Sequence, residues 1–454
     1  MTRDEAAAIL HMPEDQAIEM IIALAEKAEK YDQLGVSPTT PSGMTPPYLK
    51  PPGKRRRKKP GRKQGHVGVS RAKPAKVNHH KDHTLDYCPE CNNNLGDPVT
   101  SYKRYTEDIP PVEVEVTEHT VYGYWCSRCK KIVYAKVTDA LPNAVLGLRL
   151  LVFTAWLHYL IGISVNNIVK LLKVFANFPV TAGGLTQAWK KLACNLEPVC
   201  NNIGKKITHA AVLNADETGW RINGATHWLW CFATSKLCYY VIDKSRGSPV
   251  VKKVFGSLFK GILICDFWSA YNKLCALAKQ RCFYHLFTEL LKVDKHNKSK
   301  AWKAFRKRLS RLLKDAIRLS EKKNRLSLSD FHRLKERLYL RLEQLIETAS
   351  NDKDAKRLIK RLHRHRKELF TFLEYNSVSP YNNHGEQQMR KPVITRKISQ
   401  QNRSDKGAKT QAILMTLFRS AELQNLNPVE AVLSLVKNQI DTNNVLENEF
   451  KIAA

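Results

Sequence analysis

AAVLNADETGWRINGATHWLWCFATSKLCYYVID, residues 210–243, contains three apolar runs separated by short polar breaks. AAVLNAD, THWLWCFA and LCYYVID are rich in β-branched and aromatic residues, and RINGA and TSK between them form turns. The stretch therefore predicts three strands joined by hairpins. SPVVKKVFGSL follows as a helix candidate and GILICD as a fourth strand. Hairpin strands, a helix, then a strand free to lie parallel to the first predict a layered α/β unit. Asp216 closes the first run and Asp266 the fourth. If those strands are parallel neighbours, both carboxylates emerge at one sheet edge. Glu217 competes locally but is expected on the other face, and Asp243 ends the third run.

A third acid, Glu386, lies in YNNHGEQQMRKP after a long basic helical stretch. Three carboxylates on separate elements are the donor set that holds Mg²⁺ (or Mn²⁺), two ions of it, against a phosphodiester. A lone Asp after an apolar run also serves as a turn or cap residue, so spacing leaves that reading open. On the segment around Glu386, Asn382, Asn383 and Arg390 are candidate DNA contacts or supports for the carboxylates. Arg390, one helical turn beyond Glu386, is placed to meet a phosphate.

The bulk composition fits a polyanionic partner. The 75 Lys and Arg against 42 Asp and Glu give a net charge of +33, spread too widely for one solvated tail. Nucleic acid is the first-choice partner and an anionic membrane the second. Runs of apolar residues fall short of the roughly 18 a membrane span needs, and MTRDEAAAIL lacks a signal-peptide pattern. At 43% hydrophobic, most of the 454 residues can build cores.

Eleven cysteines, four of them in two CxxC pairs, predict a reducing compartment with metal ligation. Cys88-Pro-Glu-Cys91 and Cys126-Ser-Arg-Cys129 each predict a knuckle, together holding one structural Zn²⁺. The 34 residues between the pairs leave room for a strand pair, making a zinc ribbon. VTSYKRYTEDIPPVEVEVTEHTVYGYWC alternates as strands do. Cys282 and His285 form a subtler pair, read as packing, support for the acidic site, or metal ligation.

Elsewhere the chain divides by pattern. Residues 1–35 predict an N-terminal helix over about 14–34, with an apolar stripe through Ile18, Ile21, Ile22 and Ala25 that implies a partner, possible oligomerisation included. Residues 36–80 form a flexible basic arm in which Arg55, Arg56, Arg57, Lys58, Lys59, Arg62 and Lys63 interleave with Gly and Pro, suited to a DNA backbone or groove. The zinc ribbon takes 81–140, and helices of a DNA-binding or linking region take 141–206. The α/β core begins at 207–285 and is interrupted over 286–375 by a helical insertion. Three insertion helices carry Leu312, Leu313, Ile317 and Leu319, then Phe331, Leu334, Leu338 and Leu345, then Leu358, Leu362, Leu369 and Leu373. The core resumes over 376–454 with C-terminal helices.

Taken in order, GRKQGHVG, CPECNNNLG, YWCSRCKKIVYA, LNADETGWRINGATHWLWCFAT, GILICDFWSAYN, RCFYHLFTELL and NNHGEQQMRKPVITRK resemble the insertion-sequence sixty-six family of DDE transposases. The resemblance runs from the basic arm through the final third. It implies a ribonuclease-H-like core with Asp216, Asp266 and Glu386 as the catalytic carboxylates. It also implies Mg²⁺-dependent cleavage at transposon ends and attack of the freed 3′-OH on target DNA. The partners implied are double-stranded DNA (terminal inverted repeats and target), a second copy of the chain, and accessory proteins of the same element. The place implied is the prokaryotic cytoplasm, on the nucleoid. The chain departs from the family pattern at Tyr381, Gln387, Leu286, Phe287 and Thr288. A transposase-derived DNA-binding protein, weak or inactive in catalysis, is the alternative.

Overall fold

The computed structural model describes residues 13–33, 65–68 and 72–442. The basic residues from Arg55 to Lys63 lie outside them. Helix α1 (Glu14–Gln33) forms as expected, and Ile18, Ile21 and Ile22 on its apolar stripe are about half exposed. Between residues 99 and 122 no ladder forms, and the expected alternation yields only β1 (Gly123–Cys126), paired with β2 (Lys131–Tyr134). Val112, Val114 and Val116 there stay exposed. An isolated strand has no partner for its backbone, and alternation alone does not supply one.

Helices α2 (Leu148–Trp156), α3 (Val165–Ala176) and α4 (Ala182–Thr208) precede a five-stranded sheet. Its strands are β3 (Val212–Ile222), β4 (Ala225–Ala233), β5 (Cys238–Asp243), β6 (Leu258–Cys265) and β7 (Cys275–Arg281), in the spatial order β5-β4-β3-β6-β7. The first three form an antiparallel meander, and β6 and β7 add in parallel. Asn223 and Gly224, at φ 46° and 76°, make the tight turn from β3 to β4; two left-handed residues match the twist of a hairpin. Helix α5 (Ser248–Phe255) carries the chain from β5 to β6. Where β6 enters beside β3, a Cβ on Gly261 would stand 2.1 Å from the Ala210 carbonyl, so only glycine permits that approach.

Two details differ from the sequence reading. Strand β3 does not stop at Asp216 but runs on to Ile222, because β4 pairs with it from Asn214 to Ile222. Strand β7 (CALAKQR) was not anticipated. It has no β-branched residue, and its place beside β6 comes from the tertiary fold.

The edge strand β5 is covered by α12 (Asp405–Leu423), where Ser420 and Thr416 hydroxyls accept the N–H groups of Cys238 and Tyr240 at 3.1 and 3.0 Å. Unpaired edge groups are thus satisfied instead of exposed. The main core runs from Leu141 to Ile440, joining α2–α4, the sheet, α12 and α13 (Pro428–Thr442). A second core packs Ile262 and Ile264 of β6 against the insertion: α6 (Phe283–Val293), α7 (Lys300–Lys322), α8 (Leu328–Glu347), α9 (Lys353–Arg364) and α10 (Thr371–Glu374). The third expected insertion helix is broken. Leu358 and Leu362 lie on α9, Leu369 in the following turn and Leu373 on α10. The break falls where Glu368 turns inward to His365 and Arg281. Helix α11 (Asn383–Ser399) then returns the chain to the sheet. No helix among the described residues is long and apolar enough to cross a membrane.

Candidate active site

The β3–β6 ladder pairs Val212 with Ile262, Leu213 with Leu263 and Asn214 with Ile264. Continuing that register by two residues sets Asp216 level with Asp266, just past the last residue of β6. Asp266 thus follows the C-terminal end of β6, and Asp216 stands beside it within β3, just beyond the last parallel pair of the two strands. Asp216 Oδ1 accepts the Glu217 N–H at 3.0 Å, and Asp266 Oδ1 accepts the Trp268 N–H at 2.8 Å. One oxygen of each carboxylate is therefore held by backbone.

Glu386 arrives in the first turn of α11. Its helix is pinned by Asn382, whose Nδ2 donates to the Ala215 carbonyl at 2.8 Å and whose Oδ1 accepts from Asn214 Nδ2 at 2.8 Å. Asn214 and Asp216 share a strand face because side chains alternate, so the same face that carries Asp216 receives α11. His384 Nε2 meets the Thr234 carbonyl at 2.7 Å, which fixes α11 to the β4–β5 turn. Asn383 and Arg390 are exposed on α11.

Burial pushes the Asp216 carboxyl well above the ordinary range, and the charges of Glu217, Asp266 and Glu386 push it further. The three predicted acids are thus one electrostatic cluster. Glu217, on the opposite strand face, has a side chain only 2% exposed. Burial and Asp266 raise its carboxyl to about 7, against the pull of the Tyr271 hydroxyl and Arg246. Those partners stand at 2.6 and 3.1 Å. Arg246 is itself sandwiched between Trp228 and Trp268, 4.4 and 3.9 Å from the ring centres. Asp243 only closes a turn, accepting the Ser245 N–H at 2.9 Å.

Arg281 is the support that sequence reasoning missed. Fully buried, it donates to the Asp266 carbonyl at 2.7 Å, to Asn272 Oδ1 at 2.8 Å and to Glu368 Oε2 at 2.6 Å. A basic residue next to Cys282 was the one available signal, but it sat in the unrecognised β7. Cys282 itself lies at the start of α6, its sulfur accepting the Asn382 N–H at 3.2 Å. Burial raises its thiol, and the N–H groups of Asn382, His285 and Tyr284 oppose that rise. Sulfur of Cys282, a ring nitrogen of His285 and a carboxylate oxygen of Glu386 lie within 4.8 Å of one another. Leu286, at one of the departures from the family pattern, is buried in the second core.

The two CxxC pairs each form a turn of the kind that presents sulfur to a metal. Cys126 Sγ accepts the Cys129 N–H at 3.4 Å, and backbone N–H groups of Cys91 and Glu90 lower the Cys88 thiol. The Cys126 thiol is lowered likewise, by the N–H of Cys129 first. No three of the four sulfurs lie within 4.8 Å of one another.

A sequence profile described as the Transposase IS66 family matches residues 143–410, more than half of the chain. The chain belongs to the IS66 transposase family. A second profile, the zinc-finger binding domain of transposase IS66, matches residues 86–130, which hold all four CxxC cysteines. The profiles follow one another in the order the sequence motifs predict. A search of curated proteins returned no match to the chain. The matched span from 143 to 410 takes in the sheet, the insertion helices and α11, so the acidic cluster lies inside the family region.

Proposed function

We propose that the chain is a DDE transposase that cleaves at transposon ends and joins the 3′-OH to target DNA, with Asp216, Asp266 and Glu386 holding two Mg²⁺ ions. The observation that carries this reading is the grouping of three carboxylates around β3 and the end of β6, with Asp216 raised by burial first and further by the charges of Glu217, Asp266 and Glu386. Such mutual repulsion suits a hard divalent cation, which relieves it. The sheet order, an antiparallel meander followed by two parallel strands, supports a ribonuclease-H-like core.

Two bound ions supply activation of the attacking oxygen and stabilisation of the leaving oxygen. The residues of the chain do the rest. Backbone N–H groups of Glu217 and Trp268 each engage one oxygen of Asp216 and Asp266, leaving the second oxygen of each for a cation. Arg281 fixes the backbone carrying Asp266, and Asn382 fixes the helix carrying Glu386. Cys88, Cys91, Cys126 and Cys129 would hold one zinc as a ribbon on the DNA-binding side. Double-stranded DNA is the partner, drawn by the net charge of +33. Binding two ends favours a dimer.

The test is a strand-transfer assay with Mg²⁺ on the element's own ends. Joined products are expected from the unmodified chain, and none from Asp216→Asn, Asp266→Asn or Glu386→Gln, each about 10³-fold down or more, a loss comparable to removing other central electrostatic groups. End binding without any cleavage by the unmodified chain, with accessory proteins supplied, would reject the enzyme reading.

A further inference from the structure

Three cysteines of this chain share one local arrangement. The N–H groups of Glu90 and Cys91 lower the Cys88 thiol, and those of Cys129 and Arg128 lower the Cys126 thiol, whose sulfur accepts the Cys129 N–H at 3.4 Å. The N–H groups of His285 and Tyr284 act on the Cys282 thiol in the same sense, without a cap hydrogen bond to its sulfur. In each case the N–H groups lie two and three residues ahead, as in a knuckle whose sulfur is presented to a metal. Two of the three knuckles fall in the zinc-finger segment; the third, Cys282-Phe283-Tyr284-His285, lies inside the fold beside α11.

What faces this third knuckle is unusual for a protein interior. His285 Nδ1 and Glu386 Oε1 are both buried without a hydrogen-bond partner. Leaving such groups unpaired in an interior is costly, and more so for a charge. The donor atoms of Cys282, His285 and Glu386 nevertheless converge within 4.8 Å, and this is the sole convergence of its kind among the described residues. A cation at that point takes a ring nitrogen of His285 and a carboxylate oxygen of Glu386, the two residues that carry the orphaned atoms. The set of one sulfur, one imidazole nitrogen and one carboxylate oxygen selects against Mg²⁺, which prefers oxygen, and for zinc-class ions. The Asn382 N–H on the sulfur supplies the outer support common in such sites.

We propose that Cys282, His285 and Glu386 bind a zinc-class divalent cation, in addition to the zinc of the CxxC pairs. Three protein ligands leave a fourth position open to water or an oxygen of another molecule. Occupancy of this site engages Glu386, so the residue carries two metal relationships, one to the knuckle and one to Asp216 and Asp266. The binding site itself stands independently of whether the chain cleaves DNA.

The experiment is metal counting on the purified full-length chain, stripped and reloaded with Co²⁺ in place of zinc. With excess Mg²⁺ present to fill the carboxylate site, the unmodified chain is expected to bind two cobalt ions, and Cys282→Ser or His285→Ala to bind one. A chain carrying Cys88→Ser and Cys126→Ser, both outside the two cores, is expected to keep one cobalt with a thiolate-to-metal charge-transfer band. Adding Cys282→Ser should abolish that band. This finger-deficient variant decides the matter even if substitution at Cys282 alone prevents folding. One cobalt per chain whose charge-transfer band vanishes with the CxxC cysteines overturns the proposal, as does a count of two that Cys282→Ser leaves unchanged.

Discussion

Glu368 shows how a single side chain supports the acidic cluster from behind. Burial works against its charge, but the His365 hydrogen bond and the Arg281 guanidinium prevail and hold its carboxyl down at about 2. Because the folded value lies below the unfolded one of 4.5, the stabilisation is present above pH 4.5 and is lost as pH falls toward 2. The shift corresponds to roughly 3 kcal/mol. Glu368→Gln should therefore lower the urea midpoint of the full chain at pH 7 and flatten its decline between pH 4.5 and 2. An unchanged acid profile in the variant would remove Glu368 from this role. Gly385 gives a second case. A Cβ there would stand 2.8 Å from Asn382 Oδ1, so Gly385→Ala must move the side chain that ties α11 to Ala215 and Asn214. Displacing Glu386 by a fraction of an ångström is expected to cut strand transfer about 10- to 100-fold while near-native circular dichroism persists; full activity would show that Asn382 does not position Glu386. At this scale the acids were legible, since Asp216 and Asp266 follow apolar runs and Glu386 sits in a distinctive segment. Their supports were not. Arg281, Asn214 and Arg246 acquire meaning only through partners far along the chain, such as Glu368 and Asn382.

Helix α11 contains Pro392, which has no N–H for the Gln388 carbonyl one turn earlier. The Tyr240 hydroxyl of β5 fills that role, donating to the Gln388 carbonyl at 2.6 Å in a buried setting. The broken helix bond thus becomes a tie between α11 and the sheet. Tyr240→Phe should cost about 1–3 kcal/mol by leaving that carbonyl unpaired. In a Pro392→Ala background the helix can make its own bond, so the same substitution should cost markedly less. A double-mutant cycle on denaturation midpoints measures the coupling; strict additivity would show that the two residues act independently. Elements with strong patterns are readable in the sequence: the meander of β3–β5, β6, α5, α7, α8 and the C-terminal helices. Pattern failed where context decides. CALAKQR becomes β7 because β6 offers it a parallel partner, and residues 99–122 alternate without a neighbour and form no sheet. The run from Leu358 to Leu373 keeps helical spacing, yet breaks where Glu368 is drawn to Arg281.

Across the whole molecule, stability is unevenly distributed, and the zinc-finger segment lies at the weak end. Residues 86–130 contribute nothing to either hydrophobic core; their strand pairing is the β1–β2 hairpin, part of which they form, and the Tyr87–Asn94 bridge, and His119 meets Asp139 in a half-exposed ion pair. A segment without buried apolar surface has little to offset its chain entropy. Its folded form must then draw on metal ligation, for which binding energy is folding energy. The fold from Leu141 onward has two large apolar clusters to hold it. Cys126→Ser is therefore expected to remove one zinc and open residues 86–130 to protease, while the thermal midpoint of the remaining fold moves by no more than about 2 °C, as for a surface change. Limited proteolysis read by mass, beside circular dichroism melts of the same samples, makes the comparison. A large fall in the melting midpoint would mean that the finger docks on the core and shares its stability; protection of the segment despite zinc loss would mean that contacts other than the metal hold it.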